Sequence, residues 1–331
     1  MIKRREFIAG LGSVAAWPLT AWAQQGDRVR RIGVLSPYVE NDAGTTSYLS
    51  RFMQRLAELG WMEGRNLKME IRWTAGNVDR MRTFAKELID LQPDVIFTDS
   101  TPQTAAFQRE TRTIPIVFVL VSDPIGSGFV DGLARPGGNI TGFMSWEPTM
   151  AGQVAPAAHG NRARRQAGRG HVQSRHGSLC KPILPTLVRS GCQIAQYRTD
   201  RSTRSYRYGN RNGHKRAWTR TGGGFVSLPD TFTGVHRATM ISLAAENNVP
   251  AIYQDSIHVK DGGLLSYGAD LVDIYYRSAS YVDRILRCAK PADLPVQLPV
   301  KFKTAVNLKT AKALGLTVPQ SILLSADEVI E

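Results

Sequence analysis

Short β-branched runs alternate with amphipathic stretches along most of the chain, and this alternation constrains the fold more than any other feature. Leu49, Phe52 and Leu56 recur at helical spacing after the first run, and Gly60 is expected to end that helix. The run from Ile114 to Val121 is apolar almost throughout, which is typical of a parallel strand covered on both faces. Strands are therefore predicted at residues 31–36, 67–73, 94–98, 114–121 and 140–144.

The same alternation resumes after residue 224. It predicts a strand and loop at 225–230, a helix at 235–247, a strand at 250–255, a segment at 263–268 that leads into a long helix, and a further strand and helix within 301–313. Alternation at this spacing is typical of open parallel sheets with helices on both faces. The sequence therefore predicts an α/β fold with doubly wound parallel sheets, and 331 residues are enough for two such units.

Residues 152–224, called the basic segment below, differ in composition from the rest of the chain. The segment holds 15 of the 42 lysines and arginines but one of the 28 acids, so it carries the whole formal net charge of +14. The remainder has 27 bases and 27 acids and is neutral. The segment also has almost no apolar periodicity, so it is not predicted to continue the strand–helix pattern.

Three interpretations of the basic segment stay open at this point. Its arginines lie near Tyr206, Tyr208 and Trp218, which can stack on bases, so a nucleic-acid-binding insert is one interpretation. A disordered linker rich in Arg and Gly is the second. The one we favour is translation out of frame, because codons for Gly170–Pro182 and two further stretches can be chosen so that a shifted frame gives ordinary α/β sequence. A frameshifted segment is expected to be poorly ordered.

The amino terminus has the pattern of an export signal. Arg4 and Arg5 precede a short apolar stretch, and Ala21 and Ala23 place small residues at the two positions that a signal peptidase reads. The pattern predicts a twin-arginine signal over residues 1–23, cleaved after Ala23, and a periplasmic location. No apolar run reaches the roughly 18 residues of a membrane-spanning helix.

Polar residues stand at the carboxyl ends of the predicted strands, where open parallel sheets bind ligands. Hydroxyls and helix-start amides can hold a carboxylate there, and Asp99 or Asp123 can answer an ammonium group. Such a mixture suits a small zwitterion such as an amino acid, although Ser, Thr, Asp and Pro are also ordinary turn residues. Tyr38 would supply an aromatic wall. The candidate ligand-binding residues are Ser36, Tyr38, Ser100, Thr101, Ser122, Asp123, Asp230, Asp255 and Tyr267.

Signals of enzymatic chemistry are weak. The sequence has no nucleophile-elbow serine, no H-E-x-x-H zinc motif and no P-loop, and its three cysteines lack paired spacing. His236 and His258 lie outside the basic segment and are expected at the surface rather than on a metal. We therefore expect neither a catalytic residue nor a metal nor a cofactor.

Several motifs of the chain resemble one known family. The similarity covers about residues 29–151 and 225–331, and the basic segment matches nothing in it. The motifs are Arg31-Ile-Gly-Val-Leu-Ser36, Leu56-x-x-Leu-Gly60-Trp61-x-Glu-Gly64-x-Asn66, Pro93-Asp-Val-Ile96, Ile114-Pro-Ile-Val117, Ser122-Asp-Pro124, Leu133-Ala-Arg-Pro-Gly-Gly-Asn139-Ile-Thr-Gly142 and Asn307-Leu-Lys-Thr-Ala-Lys-x-Leu-Gly315. With them the chain resembles exported substrate-binding proteins of ABC transporters, the tryptophan/tyrosine-type group with the type I periplasmic-binding fold.

The resemblance implies two α/β lobes, joined by crossing strands, that close over a ligand. It implies an N-terminal lobe of residues 29–146 plus about 269–300, and a C-terminal lobe of 147–268 plus about 301–331. In the family the ligand touches the loops after the first, third and fourth strands, and these loops here contain Ser36, Ser100, Thr101, Ser122 and Asp123. The residues that would face them are Asp230, Asp255 and Tyr267.

The expected function is that of a periplasmic receptor, not an enzyme. It would bind a small solute such as an amino acid, deliver it to an inner-membrane ABC permease, act as a monomer and bind no nucleic acid. Two alternatives stay open. The basic segment would make the chain a nucleic-acid-binding protein if it were a genuine insert. If it replaces part of the C-terminal lobe, the product would be a defective receptor without ligand binding.

Overall fold

A computed structural model describes residues 28–146, 225–227 and 229–331, with the backbone alone for 193–195 and 223–224. The predicted export signal at 1–23 therefore lies outside the described residues, as does almost all of the basic segment. Within the described part of the chain, no helix has the length and apolar character that crossing a bilayer requires.

The first sheet has five parallel strands in the order β2-β1-β3-β4-β5, which confirms the parallel arrangement predicted for this half. Its strands are β1 (Arg30–Ser36), β2 (Leu67–Trp73), β3 (Val95–Asp99), β4 (Ile116–Val121) and β5 (Ile140–Met144). The helices between them are α1 (Ala43–Glu58), α2 (Val78–Asp90) and α3 (Thr101–Glu110). Asn77 caps α2, since its side chain accepts from the amides of Asp79 and Arg80.

Alternate residues of these strands enter two separate cores, one on each face of the sheet. Val95 and Phe97 of β3 lie in the core beneath α1, whereas Ile96 lies in the core beneath α2 and α3. Both faces are therefore covered, which explains why the strands read as continuous apolar runs.

The second sheet has six strands in the order β11-β10-β9-β8-β7-β6. They are β6 (Gln193–Ala195), β7 (Gly223–Val226), β8 (Ala251–Tyr253), β9 (Leu265–Ala269), β10 (Phe302–Asn307) and β11 (Glu328–Ile330). The helices described in this half are α4 (Thr231–Val235), α5 (Arg237–Glu246), α6 (Ser256–Lys260), α7 (Leu271–Leu286), α8 (Leu308–Ala313) and α9 (Gln320–Ser325), with a 3₁₀ turn at Pro291–Asp293.

Helix α7 belongs to the first sheet in space, although it follows β9 in the chain. Its residues Ile274, Tyr275 and Val282 lie in the same core as α1. The chain then returns to the second sheet. It leaves that sheet after β9 and re-enters it at β10, and at this place the amide of Asp270 donates to the carbonyl of Lys301 (2.9 Å). We call the first sheet with its helices, including α7, the first lobe, and the second sheet with its own helices the second lobe.

Two details of the second lobe differ from the sequence prediction. Strand β10 is antiparallel to β9, not parallel, because the chain re-enters this lobe from the opposite direction after α7. The single helix predicted at 235–247 is two helices that meet at His236 and begin at Thr231. Asp230 sets this earlier start, since its carboxylate accepts from the amide of Phe232 (2.7 Å).

Candidate functional site

A cavity of about 270 Å³ lies between the two lobes. Its volume is near the lower end of the roughly 300–1,000 Å³ of small-molecule pockets. Residues from both sheets line it, at the ends of strands and the starts of helices. Among them are seven of the nine candidate residues, namely Tyr38, Ser100, Thr101, Ser122, Asp123, Asp230 and Asp255.

The other two candidates, Ser36 and Tyr267, do not line this cavity. Ser36 is buried at the end of β1, where its hydroxyl accepts from the amide of Tyr38 (3.4 Å). Tyr267 lies in the middle of β9 and stacks on Phe302 with ring centroids 5.9 Å apart. Ser36 is therefore engaged in a hydrogen bond within the turn after β1. Tyr267 lies on the face of β9 that packs on Phe302, because successive residues of a strand face opposite sides of the sheet.

The start of α3 lies at the cavity with no side chain capping it. Ser100, the residue before the helix, has a φ of 82°, a strained conformation for a residue other than glycine. Its hydroxyl donates to Oε1 of Gln103 (2.5 Å) rather than accepting from a helix amide. Unsatisfied amides and the positive end of the helix dipole make such a helix start favourable for a carboxylate.

Polar contacts join the lobes across the cavity. Tyr48 on α1 donates its hydroxyl proton to Oδ2 of Asp255 in the second lobe. The guanidinium of Arg237 on α5 contacts Asp42 in the first lobe (2.9 Å) and Asp261 in its own lobe (2.5 Å). The lobes are thus closed on one another in this structure.

Besides these polar contacts, two glycines lie where the lobes approach each other closely. A Cβ atom placed on Gly234 would lie 2.6 Å from the hydroxyl oxygen of Tyr38, and one on Gly76 would lie 3.0 Å from Val235. Gly234 has an ordinary backbone conformation, so the space that Tyr38 occupies, not the chain geometry, favours glycine at this position.

Five carboxylates line the cavity, and four of them already serve the fold. Asp42, Asp230 and Asp255 cap the helices α1, α4 and α6. Asp123 accepts from the amide of Gly126 (2.8 Å) in the turn after β4. Burial raises the pKa of Asp42, but bonds from Thr45 and Arg237 outweigh burial, so its pKa ends below the ordinary value.

Asp99, the fifth carboxylate, caps no helix. It ends β3, is 3% exposed, and accepts from the hydroxyl of Tyr275 through Oδ2 (2.6 Å). Its other oxygen, Oδ1, has no hydrogen-bond partner among the residues that the structure describes. Burial raises the pKa of Asp99 to about 7, although the bond from Tyr275 acts to lower it. Asp99 therefore combines a position in the lining of the cavity with one buried oxygen that lacks a hydrogen-bond partner.

His258 lies at the cavity and not at the surface, so the surface prediction for this residue was wrong. It is 2% exposed and stacks on Tyr253 with ring centroids 5.1 Å apart. Burial lowers its pKa to about 4, so the imidazole is neutral near pH 7. His236 is half-buried at the junction of α4 and α5. No cluster of potential metal ligands is found in the described ranges.

Sequence reasoning missed many of the cavity residues, and among the polar ones, besides His258, are Asp42, Tyr48, Arg237 and Gln254. Asp42 and Arg237 are 195 positions apart in the chain, and Tyr48 and Asp255 are 207 apart. The only local signal was the position of Asp42 as a helix cap. Periodicity contains no information on which helix ends meet across two lobes.

Comparison with known families gives one match over most of the chain. The family model described as "ABC transporter substrate binding protein" matches residues 31–154 and 216–330 and leaves 155–215 unmatched. Among curated proteins, the chain is 22% identical over 303 residues to a "Tyrosine-binding protein" of Clostridioides difficile (strain R20291). That alignment covers 84% of this chain and 78% of the relative.

Solved structures show the same fold. A conserved domain protein from Vibrio cholerae has a TM-score of 0.70 at 21% identity, covering 91% of this chain and 100% of the other. An ABC domain from Streptococcus pneumonia, solved in complex with L-Trp, has a TM-score of 0.64 at 22% identity, covering 91% and 99%. These similarities and the two sheets agree with the fold predicted above.

Proposed function

Because the chain belongs to the ABC transporter substrate-binding protein family, we propose that it is the solute receptor of an ABC importer. Its substrate would be a small solute of amino-acid size, captured between the lobes and passed to an inner-membrane permease. This role is one of binding, not of catalysis.

The observation that supports this proposal best is a cavity lined by both lobes and bordered by contacts between them. A ligand in this position touches both lobes when they are closed and only one when they are open. It therefore binds the closed state more tightly and shifts the population toward it. The closed state is the form that a permease would recognise.

An aromatic amino acid fits the chemistry of the cavity. Its carboxylate would lie at the start of α3, near the hydroxyls of Ser100 and Thr101, where helix amides favour an anion. Rings of Tyr38 and Tyr48 supply aromatic walls. The names of two relatives, a tyrosine-binding protein and an L-Trp complex, support the same ligand class. Ser122, Asp123, Asp230 and Asp255 also line the cavity and would be further contacts of the solute.

Export completes the proposal. The twin-arginine pattern over residues 1–23 would direct the chain to the periplasm, where a receptor of this kind meets its permease. We propose that it acts there as a monomer without nucleic acid. A frameshifted basic segment is the alternative, in which the product is a defective receptor that binds no ligand.

Calorimetric titration of the full chain with L-tyrosine and L-tryptophan tests the proposal. We expect one solute per chain and a negative heat-capacity change, because the lobes bury apolar surface as they close. D-Tyrosine is the matched control, since it has the same groups in the wrong arrangement. Absence of binding by all twenty amino acids would overturn the proposal and favour a receptor inactivated by its basic segment.

A further inference from the structure

Strand β4 contains one residue more than its neighbour β5 at the end that reaches the cavity. Val119 pairs with Phe143 and Val121 pairs with Met144, so Leu120 is the extra residue of a β-bulge. Its φ of 58° lies in the left-handed region, which residues other than glycine seldom adopt. Bulges are common beside binding sites, where they change the direction of a side chain. A strained bulge at the cavity therefore indicates a role in binding.

The bulge places Leu120 on the side of the sheet that is covered by α1 and α7. Val119 lies in the core on that side, and strict alternation would send the next residue to the opposite side. Instead Leu120 packs against the same core as Val119, and Val121 enters the core beneath α2 and α3. Leu120 is half-buried, whereas the five other residues of β4 are buried. Its accessible surface faces the cavity, since Leu120 is one of the lining residues and β4 lies inside a sheet covered on both faces.

Leu120 shares one side of the cavity with Tyr48, Ala269 and Leu271. We call these four residues the apolar wall, and all of them lie in or pack against the core beneath α1. The start of α3 offers amides and hydroxyls instead. A solute whose carboxylate lies at α3 would bury its side chain against the apolar wall, because apolar surface gains free energy by leaving water. The wall therefore limits the size of the side chain that fits.

We propose that Leu120 determines which side chain the receptor accepts, and that it favours one aromatic ring over two. The inference rests on the proposed function, since it takes the solute to be an aromatic amino acid. The cavity of about 270 Å³ is small for a ligand pocket, and the side chain of Leu120 occupies space that the second ring of an indole needs. In a close-fitting apolar pocket, one methylene group more or less changes discrimination by about 10- to 200-fold. L-Tyrosine should therefore bind more tightly than L-tryptophan.

Calorimetric titration of Leu120→Ala with L-tyrosine and L-tryptophan tests this role. The ratio of the two affinities should shift toward L-tryptophan by about tenfold or more, because the substitution removes most of a side chain from the apolar wall. Val117→Ala is the matched control, since Val117 lies in the same strand and the same core but does not line the cavity. A general loss of stability lowers both affinities and leaves their ratio unchanged. A ratio that changes no more in Leu120→Ala than in Val117→Ala would overturn the inference.

Leu120→Gly removes the same side chain and tests the bulge without any ligand. Glycine adopts a φ of 58° without strain, so Leu120→Gly should unfold at a higher urea concentration than Leu120→Ala. In a regular strand the order is the reverse, because glycine weakens a strand interior. Lower stability of the glycine variant would show that Leu120 occupies a regular strand position, and the inference would fall.

Titration of the parent chain separates failure of this inference from failure of the proposed function. If the parent binds no amino acid, the proposed function fails and this inference fails with it. If it prefers L-tryptophan, or binds only amino acids without an aromatic ring, the receptor function stands and the role of Leu120 is overturned. Preference for L-tyrosine in the parent and its loss in both Leu120→Ala and Leu120→Gly is the result we expect.

Discussion

The two lobes differ in how their described parts are stabilised. The first lobe has a five-stranded parallel sheet with an extended apolar core on each face. In it Phe97 stacks on Phe52 with ring centroids 4.3 Å apart and meets the edge of Tyr275. The described residues of the second lobe form two smaller clusters, one around Val306 and Ile322 and one around Tyr253.

Under the proposed function, this difference gives the two lobes different roles in binding. The first lobe holds Asp99 and the start of α3 on its central strands, which suits a rigid recognition surface. The second lobe contributes Arg237, Gly234 and Asp255, whose contacts with the first lobe exist in the closed state. We therefore interpret the first lobe as the part that selects the solute and the second as the part that encloses it.

The largest expected effect comes from the core of the first lobe. Phe97→Ala removes a fully buried ring that packs on two others and should lower the free energy of unfolding by about 3–5 kcal/mol. Ile322→Val in the second lobe removes one methyl group and should cost about 1 kcal/mol. Urea denaturation followed by tryptophan fluorescence measures both. Equal losses from the two substitutions would contradict the comparison.

Acid should weaken the second lobe through His258. Burial lowers the folded pKa of His258 to about 4 from the ordinary 6.5. The unfolded chain therefore takes up this proton first, and the free energy of unfolding should fall as the pH drops from 6.5 toward 4, by up to about 3 kcal/mol. His258→Gln should lack this fall. The raised pKa of Asp255 acts in the opposite direction but is common to both proteins.

Stability curves of the parent and of His258→Gln at pH 4.5, 5.5, 6.5 and 7.5 give the comparison. Curves that run parallel over the whole range would show that His258 is not buried in its neutral form.

Closure should depend on the absence of a side chain at position 234. Gly234→Ala places a Cβ atom 2.6 Å from the hydroxyl oxygen of Tyr38, so the closed state must open slightly. We expect solute affinity to fall about tenfold, roughly 1.4 kcal/mol, with little change in unfolding. Tyr38→Phe in the same chain removes the clashing oxygen and should restore part of the affinity. An affinity unaffected by Gly234→Ala would contradict the closing role of the second lobe.

The smallest effect is expected where the chain crosses between the lobes. Lys303 contacts Asp270 at 3.0 Å, but its side chain is 46% exposed. Exposed ion pairs of this kind contribute less than about 1 kcal/mol. Lys303→Ala should therefore change the unfolding midpoint little, and the small change should vanish in 0.5 M salt. A loss above 2 kcal/mol would identify this pair as a structural element of the crossing.

Much of the first lobe could be predicted from the sequence, because each of its strands is a local apolar run. The alternation of Val95, Ile96 and Phe97 between two cores explains the continuous pattern. The second lobe was predicted less well. The chain leaves it through α7 and re-enters it at β10, which is antiparallel to β9. The direction in which a strand enters a sheet cannot be inferred from its local sequence pattern.

Part of the cavity lining could also be predicted from local sequence patterns. Strand ends identified Ser100, Thr101 and Asp123, since a parallel sheet brings them to one edge. Sequence reasoning named Asp99 and Asp123 as equal candidates for an ammonium group. The difference between them depends on the amide of Gly126 and the hydroxyl of Tyr275, of which the second comes from a helix 176 residues away.

Hydrogen exchange with and without saturating L-tyrosine tests most directly whether two lobes enclose the solute. The account predicts slower exchange on both sides of the cavity, at residues 99–104 of the first lobe and 230–236 of the second. Protection confined to one lobe, protection in the basic segment alone, or no protection at all would contradict it.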